Sequence, residues 1–144
     1  APLAGKAVTR IALGSISACA VSGGEAYCWG KNYSGMLGNG SYTNSMVPAN
    51  GDTNVPVKVV GLSGVTFLDL DAKTTCAVAS GAAYCWGFNG FGGLGNGEAV
   101  PNAVDPMSGS STADKYTPVA VVGLSDKTVS EVYVGNWSTV ALYK

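Results

Sequence analysis

Apolar and polar positions alternate along this chain in short runs. Val8-Thr9-Arg10-Ile11-Ala12-Leu13 and Val65-Thr66-Phe67-Leu68-Asp69-Leu70 read with period two, the pattern of a strand with one face in a core. At Gly23-Gly24 a two-residue turn, which glycine suits because it accepts positive φ, sets Val21 against Ala26, Ala20 against Tyr27 and Cys19 against Cys28. A turn at Ser80-Gly81 sets Ala79 against Ala82 and Cys76 against Cys85 in the same way. Val55–Val60 and Pro118–Val122 supply a fourth strand to each unit. Gly/Asn-rich turns at 32–40 and 89–97 and long polar loops at 41–54 and 98–117 separate these runs. No segment carries a helical period with caps. The expected class is all-β, with about four short antiparallel strands per unit and long Gly/Asn-rich loops.

The units are copies of one another, which makes the chain a repeat protein. A shift of 57 places Cys19-Ala20-Val21 on Cys76-Ala77-Val78, Tyr27-Cys28-Trp29-Gly30 on Tyr84-Cys85-Trp86-Gly87, and Leu37-Gly38-Asn39-Gly40 on Leu94-Gly95-Asn96-Gly97. A shift of 62 places the run from Pro56 to Ser63 on that from Pro118 to Ser125, so the second copy carries a longer loop. Residues 129–142 align with 8–21 at a shift of 121, with Val140 where Cys19 and Cys76 stand. One domain over 1–144 is expected, with repeat 1 at about 7–63, repeat 2 at about 64–125 and a partial repeat 3 at about 128–144. The Val at 140, with no second strand to carry a partner cysteine, reads as a natural end at Lys144.

The hairpin register bears on the cysteines. Counting out from a two-residue turn, the fourth pair is a non-hydrogen-bonded one with Cα atoms about 4.5 Å apart, inside the disulfide range of roughly 4.4–6.8 Å. Two hairpins each place Cys opposite Cys at such a site, so Cys19–Cys28 and Cys76–Cys85 disulfides are expected. They imply an oxidising, extracellular or cell-surface location. Ala1-Pro2-Leu3-Ala4-Gly5 reads as a mature end left by a removed signal peptide.

The run C-A-V through Y-C-W-G-x-N-x2-G-x-L-G-N-G, followed by P-V-x-V-V-G-L, resembles the RCC1-like repeat, a blade of a seven-bladed β-propeller. The Cys pairs resemble those of exported bacterial members. The resemblance covers two full copies and the opening strands of a third, and so implies an incomplete propeller. It places Trp29, Trp86, Leu37 and Leu94 in the repeat core, and Val60 and Val122 are expected to be buried at equivalent places too.

Composition narrows the function classes. Only 12% of the 144 residues are charged, the net charge is −1 and there is no His. Nucleic acid is an unsuitable partner for such a chain, and the Ser–His, Cys–His and His-ligated zinc chemistries are excluded. No apolar run is long enough to span a membrane. Of the carboxylates, Asp69 and Asp71 share a strand face but have no counterparts in the first copy, and read as a solvated edge. Glu98, Asp105 and Asp114 fit no calcium-loop spacing. Asn32, Asn39 and Asn136 head formal glycosylation sequons. No catalytic residue, cofactor or metal is expected.

Two functions follow. The first is a non-enzymatic structural subunit of an extracellular assembly, such as the globular partner chain of a type IV pilus-like surface filament. The second is a secreted binding or inhibitor module that acts on another protein through its long loops. For the first, other protein chains are the expected partners, either further copies or a helical subunit. The terminal repeat, through Val132, Val134, Trp137, Val140 and Leu142, is too apolar to stay open to water, and it or the N-terminal strand is the expected contact surface.

Overall fold

The computed structural model of the chain describes residues 2–43, 51–98, 113–136 and 138–144, and these form ten strands with no helix among them. The first repeat is a four-stranded antiparallel sheet in sequence order: β1 (Val8–Leu13), β2 (Ser17–Ser22), β3 (Glu25–Gly30) and β4 (Thr53–Lys58). The second repeats it with β5 (Val65–Asp71), β6 (Thr74–Ala79), β7 (Ala82–Gly87) and β8 (Lys115–Ala120). A hairpin of β9 (Val129–Val134) and β10 (Thr139–Tyr143) follows. The chain is thus two complete propeller blades and the first two strands of a third.

Both central hairpins take the register that the Gly-Gly and Ser-Gly turns dictate. Cys19 lies opposite Cys28 and Cys76 opposite Cys85. Each pair is joined, with Cα atoms 4.1 Å apart, and no cysteine is free. The fourth strand of each sheet begins and ends earlier than the hydrophobic run in the sequence. Pro56 and Pro118 therefore sit inside β4 and β8, which an outer strand with one unpaired edge tolerates. The chain leaves the ladder after Lys58, and the strict alternation that follows turns Val59 inward and Val60 outward; Val121 and Val122 repeat this. Val60 and Val122 are exposed, which corrects their expected burial.

The core lies between repeats, in two layers. The first packs Val21, Cys28, Met36, Leu37 and Val59 of repeat 1 against Leu68, Leu70, Ala77 and Trp86 of repeat 2. The second packs Phe67, Cys76, Val78 and Leu94 of repeat 2 against Val129 and Val132 of the terminal hairpin. Alternation explains the division: odd and even residues of β6 face opposite neighbours. Each sheet thus has a front that the next repeat covers and a back that the preceding one covers. The inner strands β1, β5 and β9 pack side by side. Arg10 straps the first two together, its Nε donating to Leu68 O at 3.0 Å and its guanidinium lying 3.3 Å from the Phe67 ring centre.

Candidate functional site

The junction between repeats is built by a loop held on a buried asparagine. Asn32 and Asn89 are both fully buried. Leu37 N–H donates to Asn32 Oδ1 at 2.9 Å and Leu94 N–H to Asn89 Oδ1 at 3.2 Å. The Asn backbone N–H donates to Asp52 Oδ1 in one repeat and Asp114 Oδ1 in the other, at 2.9 Å in both. Sequence reasoning passed over Asp52 and set Asp114 among unlikely calcium ligands. The signal was present, because the shift of 62 that matches Pro56 to Pro118 also matches Asp52 to Asp114.

The loop so held aims a carbonyl at the next blade. Met36 O accepts from Trp86 Nε1 at 2.9 Å and from Thr75 Oγ1 at 2.8 Å. Gly38, at φ +68°, lies flat on the indole: a Cβ there would stand 2.6 Å from Trp86 Nε1. Glycine is required on both counts. The terminal hairpin begins the same clasp, with Thr139 Oγ1 donating to Gly93 O at 2.8 Å.

Equivalent residues differ in exposure according to what covers them. Leu37, Leu94 and Trp86 are fully buried, but Trp29 is partly exposed. Trp86 has the Met36–Gly38 loop of the preceding repeat across it. Trp29 instead lines a cleft of about 710 Å³ together with Ile16, Lys31 and Asp52. Trp29 is therefore mostly buried, as expected, but less completely than Trp86. The rest of this back face is more open. Ile11 is 62% and Leu13 75% exposed, whereas their counterparts Leu68 and Leu70 are 0% and 3% exposed.

The opposite end is open as well, through fewer residues than expected. Val132 is fully buried and Val134 half-buried, because they form the back of the terminal hairpin and pack on repeat 2. Val132 is therefore not a contact for another chain. Val140 (56% exposed) and Leu142 (49%) alternate onto the other face and are open, beside Tyr133. Trp137 and Asp105 lie outside the described residues.

The remaining carboxylates are occupied with structure. Val134 N–H donates to Asp69 Oδ2 at 2.9 Å, so Asp69 anchors β9 and is not the solvated edge its alternation implied. Asp71 Oδ1 accepts from Ala72 N–H at 2.7 Å in the adjoining turn. Glu98 pairs with Lys115 at 2.7 Å. Burial works against the Asp52 carboxylate, but Lys31 at 2.7 Å, the Asn32 N–H and the Thr43 hydroxyl outweigh it and hold its pKa below the ordinary Asp value. Glu25 is held low first by Lys58 and then by the Tyr27 hydroxyl. Asn32 is closed to a glycan in the folded chain, since its Nδ2 is buried and donates to Ser41 O at 2.9 Å. Among the described residues no three His, Cys, Asp or Glu side chains cluster as metal ligands, and no helix is long and apolar enough to cross a membrane.

The repeat and its fold are shared with known proteins. The family model of the Regulator of chromosome condensation (RCC1) repeat matches residues 23–72 and 80–142. The human E3 ubiquitin-protein ligase HERC2 is 33% identical over 147 aligned residues, covering 98% of this chain and 3% of that protein. The ultraviolet-B receptor UVR8 of Arabidopsis thaliana is 31% identical over 122, covering 82% of this chain and 26% of the receptor. The chain thus spans a small part of each relative's length. Among solved structures, Prp20p of Saccharomyces cerevisiae superposes with a TM-score of 0.76 at 20% identity, over 96% of this chain and 31% of that one. Human WBSCR16 does so at 0.70 and 18%, over the same shares.

Proposed function

Because the chain belongs to the RCC1 repeat family, we propose that it works by binding protein, as a non-catalytic structural subunit of an extracellular assembly. The observation that carries this reading is the pair of uncovered repeat faces, Ile11 and Leu13 at one end and Val140 and Leu142 at the other. Repeat units bury their apolar faces on neighbours, and faces of this kind left open on a soluble protein are interaction surfaces. The two disulfides support an oxidising location. Protein binding is also the mode reported for structural neighbours: Prp20p is described by its binding to Gsp1p and histones, and yeast RCC1 was solved bound to Kap60. The neutral charge of this chain directs the reading away from a histone-like or nucleic acid partner. In a pilus-like filament it would be the globular chain, seated on a helical subunit.

Sedimentation of the oxidised chain over a range of concentrations tests the reading. Association that grows with concentration, and that Ile11→Asp with Leu13→Asp abolishes, is the expected result. A compact monomer at every concentration that also ignores a candidate filament subunit would overturn it.

A further inference from the structure

Two tyrosines meet face to face across the junction between repeats 1 and 2. Tyr42 lies at the end of the asparagine-held loop of repeat 1, and Tyr116 stands in β8 of repeat 2. Their ring centres are 4.3 Å apart and their planes 15° from parallel. The repeat motif does not call for the pair. Tyr116 falls on Asn54 at the shift of 62, and Tyr42 falls on Ala99 or Val104 at the two shifts. Among the described residues this is the one stacking contact between two tyrosine rings.

The backbone on both sides of the pair is fixed. Gly40 N–H donates to Tyr116 O at 2.9 Å, and Thr43 N–H donates to Asn32 O at 2.8 Å. Gly35, at φ +76°, leaves the room that the Tyr116 ring takes: a Cβ there would stand 2.5 Å from Tyr116 Cδ1. Both tyrosines are nevertheless partly exposed, so a solute can reach them. Two phenols are thus held in stacking contact, at the surface, by chain segments from different repeats.

We propose that Tyr42 and Tyr116 are a site of oxidative cross-linking, joined as dityrosine by a peroxidase-type one-electron oxidant that uses hydrogen peroxide. One hydrogen atom leaves each phenol, and the peroxide is reduced to two molecules of water. The two phenoxyl radicals carry spin on the ring carbons ortho to oxygen, and stacked rings can join there with little movement of the backbone. One C–C bond forms between an ortho carbon of each ring. The hydrogens on those carbons then pass to the phenolic oxygens as both rings regain aromaticity. The chain loses two hydrogens in all. Each disulfide closes within a single hairpin, so neither ties one repeat to the next. A bond from Tyr42 to Tyr116 does so, and it closes a far longer ring, which restricts the unfolded chain more. This goes beyond the assembly reading and shares with it only the oxidising location.

The test uses the intact, disulfide-bonded chain at low concentration. It is treated with hydrogen peroxide and a haem peroxidase and, in parallel, with persulfate under a ruthenium photosensitiser, a smaller oxidant. Under either oxidant a monomer-sized product lighter by two hydrogens is expected, with dityrosine fluorescence and a peptide link from Tyr42 to Tyr116. Tyr42→Phe and Tyr116→Phe keep the rings and remove only the hydroxyls, and each should lose that product while staying folded. If a variant unfolds, the peptide map of the unaltered chain decides alone. The linked chain should melt at a higher temperature than the untreated one, and an unchanged melting temperature would overturn its role as a staple. Absence of the product under both oxidants while free tyrosine couples in the same mixture would overturn the site. So would a product that survives either substitution, or links formed only between chains or at other tyrosines. A strict monomer that forms the link would sink the assembly reading and leave this one standing. Self-association without the link would do the reverse.

Discussion

Trp29 and Trp86 occupy equivalent positions in two copies of one motif, and the load each carries depends on the loop above it. Trp86 is enclosed by the preceding repeat and bonded to Met36 O. Trp86→Ala is expected to cost about 3–5 kcal/mol, as for a buried Trp truncation. Trp29→Ala should cost less than that, because part of its surface is already in water and no preceding loop covers it. Urea unfolding of the two variants measures the difference, and equal losses would show that the cleft beside Trp29 is not open in solution. Asp52 makes a second residue-scale prediction. Its carboxylate is held below the ordinary Asp pKa of 3.8 in the fold, so the charged form contributes stability at neutral pH. That contribution is lost as pH falls below 3.8 through the lower folded value. Asp52→Ala should cost about 1–3 kcal/mol near pH 7 by leaving the Asn32 N–H and Thr43 hydroxyl without their acceptor. The exposed Lys31 pair adds little. The variant's stability should vary less between pH 5 and 2 than the parent's, which pH-dependent melting checks.

At the scale of an element, the cross-strand disulfides staple hairpins whose register is already set by their turns. Each joins cysteines only nine positions apart. The ring closed is short, so each bond is expected to contribute less than about 3 kcal/mol. Peptide mapping of the unreduced chain should show Cys19 with Cys28 and Cys76 with Cys85. Cys19→Ala with Cys28→Ala should leave a folded chain of lower melting temperature, not an unfolded one. A link between repeats, or loss of all structure in the double variant, would contradict the register. The end of the second repeat's hairpin is set by glycine. Gly87 sits at φ +102°, and a Cβ there would stand 2.2 Å from Lys73 O, so the chain can cross back over the start of β6 only with no side chain at that point.

For the whole molecule, stability is carried by the contacts between successive repeats, as in other linear arrays. Repeat 2 is covered on its back by repeat 1 and on its front by the terminal hairpin. Repeat 1 has an open back, and the terminal hairpin an open front. Amide exchange should therefore be slowest in β6 and β7, faster in β1, and fastest in β10, whose outer edge is unpaired. Uniform protection across all three units would mean that the open faces are covered by association under the conditions of the measurement, and dilution would then restore the gradient.

Much of this was legible before any coordinates, because it depends on neighbours in the chain. Alternation in Val8–Leu13 and Val65–Leu70 marked the inner strands, and the turns at Gly23-Gly24 and Ser80-Gly81 placed each cysteine opposite its partner. The shifts of 57 and 62 made the two blades. Local geometry suffices for these, since turn type determines hairpin register. The tertiary structure alone decided which faces are covered. Identical motifs leave Trp86 fully buried and Trp29 partly exposed, and residues equally apolar in sequence divide into Val132 within a core and Val140 at the surface. It also decided that Asp69 anchors β9 and that Asp52 and Asp114 hold the asparagine loops. These partners lie 20 to 65 positions away in sequence, and only the packing of one repeat's front on the next one's back, and of each loop on its own sheet, brings them together.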